Sequence, residues 1–296
     1  MAFSPISPNV PPSGYRDNYH HPMTKTIDRY AVIGNPIEHS KSPQIHHAFA
    51  EQTGEQLEYI RLLGEPGHFA ENVADFLSKG GRGLNVTVPF KEDAWQLVDE
   101  LSLRAESAQA VNTIIQLQDG RLRGDNTDGI GLVRDLQENQ GATLAGSRIL
   151  LLGAGGAARG VLRPLLETNP EQIIIANRTA SKAVALASDL VALGPIEGCG
   201  LDGLKGKKFN LIINATAASL SGQIPEIPDD LLEKEGWCYD MMYSDKPTAF
   251  MHWGVEHGAA KVIDGLGMLV EQAAESFYLW RGIRPESTPV MQALRR

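Results

Sequence analysis

The chain has 296 residues, 42% of them hydrophobic and 21% charged, which is enough for about two domains with a substantial core. Its 27 Lys and Arg residues against 36 Asp and Glu give a net charge of −9, which argues against nucleic acid or an anionic membrane surface as a partner. No apolar run reaches the roughly 18 residues that a membrane-spanning helix needs. The two cysteines, Cys199 and Cys238, lack a disulfide or metal-ligand pattern. We therefore expect a soluble cytoplasmic protein.

The N-terminal segment 1–26 differs from the rest of the chain. Its first 22 residues hold five prolines among Ser, Asn and Tyr, with neither an apolar run nor an Arg-rich amphipathic pattern. This composition is typical of a disordered extension rather than of a secretory or transit peptide.

From Arg29 onwards, strand and helix patterns alternate, which indicates an α/β fold. Strands are predicted at Tyr30–Ile33, Tyr59–Leu62, Gly83–Val88, Ala110–Gln116 and Arg121–Arg123. Helices are predicted at Pro43–Gln52 and Phe69–Lys79, and from Pro89 to about Leu103. The alternation predicts a first, mainly parallel α/β domain.

Turn and capping residues at 124–129 precede the apolar-periodic stretch Ile130–Leu136, so we expect a helix start and a domain junction there. Beyond it, the uninterrupted apolar run 148–152 is typical of a parallel strand buried on both faces. Further strands are predicted at 172–176, 211–214, 237–240 and 261–263. The second domain is therefore predicted to be of the Rossmann type.

A glycine-rich turn follows the buried strand directly. Residues Gly153, Ala154, Gly155, Gly156, Ala157 and Ala158 fit the pattern G-x-G-x-x-G/A and lead into a predicted helix. Such a turn lets the backbone approach a pyrophosphate, and the free N–H groups of the helix N-terminus bind it. A plain strand-to-helix turn without a ligand is the alternative.

The strand after this turn lacks the acidic residue that binds the ribose 2′-hydroxyl of NAD. It is followed instead by Asn177, Arg178, Thr179 and Lys182, whose side chains suit a 2′-phosphate. The sequence therefore predicts NADP as the cofactor, unless these cations are merely solvated surface residues.

Several motifs, taken in order, resemble those of the shikimate dehydrogenase family over residues 28–290. They are His39–Pro43, Asn85–Lys91, Ala110–Thr113, Gly124–Gly129, the Gly153 turn, Asn177–Thr179 and Asp264–Leu269. The resemblance implies NADP-dependent interconversion of 3-dehydroshikimate and shikimate in aromatic amino-acid biosynthesis. It also implies that the C-terminal helices return to the first domain, giving a substrate domain of 27–127 completed by 264–296 and an NADP domain of 128–263.

The resemblance makes Lys91 and Asp128 a catalytic, proton-handling pair. Lys91 lies in the first turn of a predicted helix, where the macrodipole disfavours a cation, and this placement also hints at function. We expect the Lys91 ammonium to protonate the forming alcohol while Asp128 holds Lys91 and a substrate hydroxyl. A surface lysine and a capping aspartate are the alternatives.

The remaining site residues are assigned partly from chemistry and partly from the resemblance. Ser40 and Ser42 sit beside a helix N-terminus that suits a carboxylate, although Ser42 is also a candidate N-cap. Thr87 and Asn112 lie at strand ends where α/β folds bind ligands. The resemblance adds substrate contacts for Tyr243 and Gln272. The alternative for Gln272 is a buried amide whose hydrogen bonds are all made by backbone groups. The resemblance also adds cofactor contacts for Thr216, Met241, Gly265 and Met268.

The chain departs from the family pattern at three places. Leu103 replaces an acidic residue associated with the cofactor, Ala217–Ser219 replaces a Ser/Pro-Gly pattern, and the N-terminal extension has no counterpart. Two other functions remain open: a quinate/shikimate dehydrogenase that also uses NAD, and a non-catalytic metabolite-binding protein on the same scaffold. We expect no metal, because the histidines lack ligand spacing, and a homodimer is possible.

Overall fold

The computed structural model describes residues 27–216, 218 and 222–295. The predicted disordered extension lies outside the described residues, as do Ala217 and Ser219 of the second departure. Among the described residues, no helix has the length and apolar character that crossing a membrane requires.

Residues 28–125 form a mixed sheet that the structure describes as six strands in the order β2-β1-β3-β5-β6-β4. The strands are β1 (Asp28–Gly34), β2 (Leu57–Leu63), β3 (Gly81–Val86), β4 (Glu100–Leu101), β5 (Thr113–Gln116) and β6 (Leu122–Asp125). The helices are α1 (Ser42–Thr53), α2 (Phe69–Ser78), α3 (Lys91–Leu97) and α4 (Leu103–Ala108). Strands β1, β2 and β3 are parallel, whereas β5 is antiparallel to both of its neighbours.

Residues 148–263 form a second sheet whose described strands are all parallel and run β12-β11-β10-β7-β8-β9. Its strands are β7 (Arg148–Leu152), β8 (Gln172–Ala176), β9 (Ile196–Cys199), β10 (Phe209–Asn214), β11 (Leu232–Asp240) and β12 (Lys261–Ile263). Its helices are α6 (Gly156–Glu167), α7 (Ala180–Leu190) and α8 (Ala249–Glu256). Counted from β7, this is the Rossmann order 3-2-1-4-5-6, which places a ligand crevice where the order reverses between β7 and β10.

The remaining helices connect the two sheets. They are α5 (Asp128–Arg134), which continues as a π-helical turn at Asp135–Asn139, α9 (Leu266–Arg281) and α10 (Ser287–Leu294). Helix α9 returns to the first sheet, where Val270 and Phe277 pack against Ile45 and Phe49 of α1. The predicted α/β fold with returning C-terminal helices is therefore confirmed, while the exact domain boundaries remain a prediction.

The predicted helix from Pro89 to Leu103 is wrong. Helix α3 ends at Leu97 because Val98 is extended, with φ −77° and ψ 151°. Asp99 then pairs with Leu122: its carboxylate accepts a 2.7 Å bond from the Leu122 N–H and starts the short strand β4. A new helix, α4, begins after Ser102, whose hydroxyl accepts from the Ala105 N–H.

Two strand boundaries that matter for the site also differ from prediction. Strand β3 ends at Val86 rather than Val88, so Thr87 lies in the following loop. Strand β5 begins at Thr113 rather than Ala110, so Asn112 lies just before it. Both shifts leave a polar side chain at a strand end instead of within the sheet ladder.

His46 of α1 is completely buried beneath these strand ends. Its ring stacks on Tyr59 with 4.2 Å between centroids, and its Nε2 lies 3.1 Å from Asn85 Oδ1. Because the Asn85 amide nitrogen donates to the Asn112 carbonyl, Asn85 Oδ1 must be the acceptor and His46 Nε2 carries the proton. Burial lowers the pKa of His46 to about 3, so the ring stays neutral in the folded protein.

We predict that His46 makes stability depend on pH between about 6.5 and 3. In that range the unfolded chain binds a proton that the folded chain cannot, so stability falls as pH falls. From pH 7 to pH 5, His46 should account for a loss of about 2 kcal/mol in the free energy of unfolding. Urea unfolding of wild type and His46→Gln at both values measures this difference. The exposed His252→Gln serves as control; an equal pH dependence in wild type and His46→Gln would contradict the prediction.

Candidate functional site

A cavity of about 460 Å³ lies between the two sheets. It is lined by eleven of the predicted residues: Ser40, Ser42, Thr87, Lys91, Asn112, Asp128, Met241, Tyr243, Gly265, Met268 and Gln272. The first six come from the first sheet and its connections, and the others from the end of β11 and from α9. The structure thus brings the predicted substrate and nicotinamide groups to one place, whereas their contacts with ligands remain a prediction.

Lys91 and Asp128 form an ion pair in the wall of this cavity. The ammonium Nζ of Lys91 lies 2.6 Å from Asp128 Oδ2, and both side chains are partly buried, at 29% and 15% exposure. Lys91 is the first residue of α3 and Asp128 the first of α5, so the pair joins two helix starts. An ammonium paired with a carboxylate inside a cavity is suited to move a proton to or from a bound oxygen.

Asn112 holds the other oxygen of this carboxylate. Its amide nitrogen donates to Asp128 Oδ1 over 2.8 Å, while its amide oxygen accepts from the Thr127 N–H over 2.9 Å. Since a backbone N–H can only donate, the second bond determines which way the Asn112 amide faces. The Asp128 carboxylate is therefore fixed on one side by a cation and on the other by an oriented amide.

The start of α1 forms the opposite end of the cavity. The Ser40 hydroxyl lies 3.2 Å from the Ser42 hydroxyl and accepts from the Ser42 N–H. Ser42 is itself the first helical residue, with Pro43 next to it, so the alternative that Ser42 is the N-cap is wrong. The Arg61 guanidinium bonds to the Ser40 carbonyl over 3.0 Å and fixes this loop.

Lys41 and Asn85 are among the lining residues that were not predicted as site residues. Within the described part of the chain the Lys41 ammonium has no ion-pair partner, and its side chain lines both this cavity and a neighbouring one beside Asp264. Asn85 lies at the end of β3 and is 6% exposed. An amide among buried residues near the end of a strand is the sequence signal that could have identified Asn85.

The side of the cavity toward the second sheet is built on a close backbone approach. The Gly265 N–H donates to the Met242 carbonyl over 2.9 Å, and any side chain at position 265 would collide with the backbone of Met241. Burial raises the pKa of Tyr243, so its phenol stays protonated near neutral pH. The Gln272 amide donates to the Leu269 carbonyl, as expected if the backbone satisfies its hydrogen bonds, and Gln272 also lines the cavity.

A second cavity of about 560 Å³ lies at the carboxyl ends of β7 and β8 and is lined in part by Gly153, Asn177, Arg178 and Thr216. Gly153 has φ 106°, a conformation that side chains rarely adopt, and turns the chain toward α6. A Cβ added at Gly155 or Gly156 would meet no atom within 4 Å. The N-terminus of α6 is thus open to an anion, although the predicted residues Ala154, Gly155, Gly156 and Ala157 do not themselves line the cavity.

The predicted phosphate-binding group is only partly assembled in this cavity. Arg178 is exposed, lines the cavity and has no ion-pair or hydrogen-bond partner among the described residues, which leaves its guanidinium free for a ligand. Thr179 and Lys182 are also exposed but do not line the cavity. Leu103 is 64% exposed and lines neither cavity.

Two sheets joined by α5 and α9, with a polar cavity between them and a glycine-turn cavity over a Rossmann sheet, define the class of two-domain dinucleotide-dependent α/β oxidoreductases. Three family descriptions match the chain: "Shikimate dehydrogenase substrate binding domain" over 32–114, "Shikimate / quinate 5-dehydrogenase" over 135–221 and "Shikimate 5'-dehydrogenase C-terminal domain" over 265–295.

Curated relatives and a solved structure agree with these matches. The chain is 55% identical to "Shikimate dehydrogenase (NADP(+))" of Nitrosococcus oceani over 269 residues, 91% of this chain and 95% of the relative. It is 57% identical to the protein of the same name from Cellvibrio japonicus, over 91% and 97% of the two chains. A shikimate 5-dehydrogenase from Thermus thermophilus, solved with NADP(H) and shikimate, has a TM-score of 0.81 at 32% identity, covering 91% and 99%. The chain belongs to the shikimate dehydrogenase family.

We predict that Arg178→Ala weakens binding of NADP at least tenfold while changing binding of NAD less than twofold. The reason is that the substitution removes a charge-assisted bond to a 2′-phosphate that only NADP carries. Fluorescence titration with each reduced cofactor measures the effect. Lys205→Ala, in a lysine that does not line the cavity, is the control. Equal losses for both cofactors would refute the role of Arg178.

Proposed function

We propose that this protein is an NADP-dependent shikimate dehydrogenase that reversibly reduces 3-dehydroshikimate to shikimate in aromatic amino-acid biosynthesis. The observation that carries the proposal is the Lys91–Asp128 pair, 2.6 Å apart, in the wall of a cavity that Met241, Gly265 and Met268 also line. A proton-handling pair thus faces the place where a nicotinamide would lie. The family membership of the chain supports the same reaction.

The carboxyl ends of β7 and β8 fit NADP, because the start of α6 follows β7 and the unpartnered Arg178 guanidinium follows β8 in the wall of the second cavity, which Glu226 also lines. When bound, NADP(H) supplies or accepts the hydride. The pyrophosphate would be held by Gly153, Ala154, Gly155, Gly156 and Ala157, and the 2′-phosphate by Asn177, Arg178, Thr179 and Lys182. Thr216 would contact the cofactor, and Met241, Gly265 and Met268 would enclose the nicotinamide.

Lys91 and Asp128 supply the proton chemistry. During reduction the Lys91 ammonium donates a proton to the oxygen of the forming alcohol, and during oxidation the neutral amine accepts it back. Asp128 stabilises the ammonium and binds the neighbouring substrate hydroxyl, and Asn112 keeps its carboxylate in one orientation. The chain thereby places one proton donor and one hydroxyl acceptor side by side.

Ser40 and Ser42 bind the substrate carboxylate. Their hydroxyls and the start of α1 offer hydrogen-bond donors to an anion, and the nearby Lys41 ammonium adds a positive charge. Thr87, Tyr243 and Gln272 complete the wall that faces the ring hydroxyls. With the carboxylate held at one end and the reacting oxygen at Lys91, the substrate has a single orientation in the cavity.

Arg178 argues against the alternative of a quinate/shikimate dehydrogenase with NAD, because NAD has no 2′-phosphate for this guanidinium to bind. The alternative of a non-catalytic binding protein would not need the Lys91–Asp128 pair. We also place the reaction in the cytoplasm, a proposal that the free thiols of Cys199 and Cys238 support. The possible homodimer remains a prediction that sedimentation of the purified protein would measure.

We predict that the purified protein reduces NADP with shikimate at least a hundredfold more efficiently than with quinate, and more efficiently than it reduces NAD. Absorbance at the nicotinamide band, with each substrate and each cofactor, measures all four combinations. Comparable turnover of quinate or NAD would favour the broader dehydrogenase. Binding of shikimate without any turnover would favour the non-catalytic alternative.

We predict that Lys91→Ala lowers kcat by about a thousandfold and changes shikimate affinity less than tenfold, since the lost ammonium acts mainly in the transition state. Steady-state kinetics and calorimetric titration with shikimate give the two values. Lys79→Ala removes an exposed lysine of a surface ion pair with Asp75 and is the matched control. If Lys91→Ala retained kcat within threefold, the proton-donor assignment would be wrong.

A further inference from the structure

Helix α5 carries Asp128 at its first position and lies between α6 and α9, with one glycine toward each of them. A side chain at Gly129 would come within 2.6 Å of the Gly160 carbonyl of α6. A side chain at Gly131 would come within 2.7 Å of the Gln272 backbone of α9. These two contacts allow the helices to approach closely without interlocking side chains. Leu132 and Val133 of α5 pack in the core, and bonds at the two ends of the helix add to the placement that this packing gives.

The far end of α5 is anchored by a buried carboxylate. Asp135 begins the π-helical turn and is 0% exposed. Its oxygens accept bonds from Tyr239 Oη over 2.7 Å, Asn139 Nδ2 over 3.1 Å and Gln140 Nε2 over 3.2 Å. Two of these donors belong to the turn itself or directly follow it, whereas Tyr239 belongs to strand β11 of the second sheet. The Tyr239 bond is thus the one of the three that ties α5 to another element.

The Tyr239 hydroxyl also lies against the first turn of α9. Tyr239 and Met268 belong to one core cluster, and a side chain at Gly267 would collide with the Asp135 carboxylate to which this hydroxyl donates. Tyr239 is two residues before Met241, which lines the cavity. Burial raises the pKa of Tyr239 well above its usual range, so the phenol remains a donor. Tyr239 therefore joins the end of α5, the first turn of α9 and the strand that leads to the site.

We propose that Tyr239 and Asp135 are positioning residues that fix the placement of α5 and thereby the approach of Asp128 to Lys91. Seven residues of helix, about 10 Å, separate Asp135 from Asp128, so a shift at one end is transmitted to the other. A displacement of about 1 Å at a reacting group can cost up to a hundredfold in rate. This inference rests on the proposed function, in which the Lys91–Asp128 pair moves the proton.

The first test is Tyr239→Phe, which removes only the hydroxyl. We expect kcat to fall about tenfold, while KM for shikimate and for NADP stays within twofold, because no ligand-contacting group is lost. Tyr30→Phe is the matched control, since the Tyr30 hydroxyl is bonded to Arg281 and lines neither cavity. A merely structural role would lower the melting temperature and leave the kcat of the folded protein unchanged, and that result would overturn the proposal.

A double-mutant cycle tests whether the two residues act through one bond. All three partners of the Asp135 carboxylate are hydrogen-bond donors, and the amide of Asp135→Asn has only one oxygen to accept from them. We therefore expect Asp135→Asn to lower kcat as well. The variant with both substitutions should lose no more than the worse single variant. Losses in kcat that multiply would show that the residues act independently and would overturn the proposal.

A measurement without turnover separates this inference from the proposed function. Hydrogen exchange of the amides at 130–134 should be at least tenfold faster in Tyr239→Phe than in Tyr30→Phe or wild type. Unchanged protection of these amides from exchange would overturn the proposal that Tyr239 anchors α5, even if the enzyme is active. If wild type failed to oxidise shikimate with NADP, the proposed function would fail, and faster exchange would still support the anchor.

Discussion

The arrangement of the site depends on one interaction: the Asp128 carboxylate is held between the Lys91 ammonium and the Asn112 amide, which come from different parts of the first sheet. Lys91 arrives at the start of α3 and Asn112 just before β5, while Asp128 itself begins the helix that leads to the second sheet. Each partner satisfies a different oxygen. A partly buried carboxylate with both oxygens bonded has little freedom to rotate, so the cavity offers a fixed arrangement of charge.

Beneath this pair, buried hydroxyl and amide groups form a hydrogen-bond network in the core. Thr113 and Ser276 are completely buried and lie 2.8 Å apart, and Asn85 donates to both of them. Ser276 belongs to α9, so the network bonds the C-terminal helix to the strands that end at the site. Buried polar groups of this kind are tolerated only when their partners are correctly placed, and the network therefore favours a single packing of α9.

The sequence was sufficient to predict the parts of the fold whose signals are local. Gly153–Ala158 after a buried strand predicted the dinucleotide-type turn, and the capping residues before Ile130 predicted the start of α5. The break of the helix after Leu97 could not be predicted, because a long-range bond between the Asp99 carboxylate and Leu122 decides it. No local pattern reports such pairing.

The same limit applied to the candidate site. Its polar residues could be named from motifs, yet the orientation of Asn112 depends on the Thr127 N–H, which only the fold brings near. The Tyr239–Asp135 bond joins residues 104 positions apart and leaves no periodic signal in the sequence. Sequence patterns thus identify the chemical groups of a site more readily than the hydrogen bonds that orient those groups.

The isolation of Arg178 has an evolutionary consequence. Its guanidinium is exposed and makes no bond to any described residue, so replacing it removes no internal contact. If Arg178 binds the 2′-phosphate as proposed, preference for a phosphorylated dinucleotide is separable from folding, which depends on buried, shared bonds. A change at Arg178 would then alter cofactor preference without disturbing the core, whereas a change at Asn112 or Asp128 would have to be compensated on several elements at once.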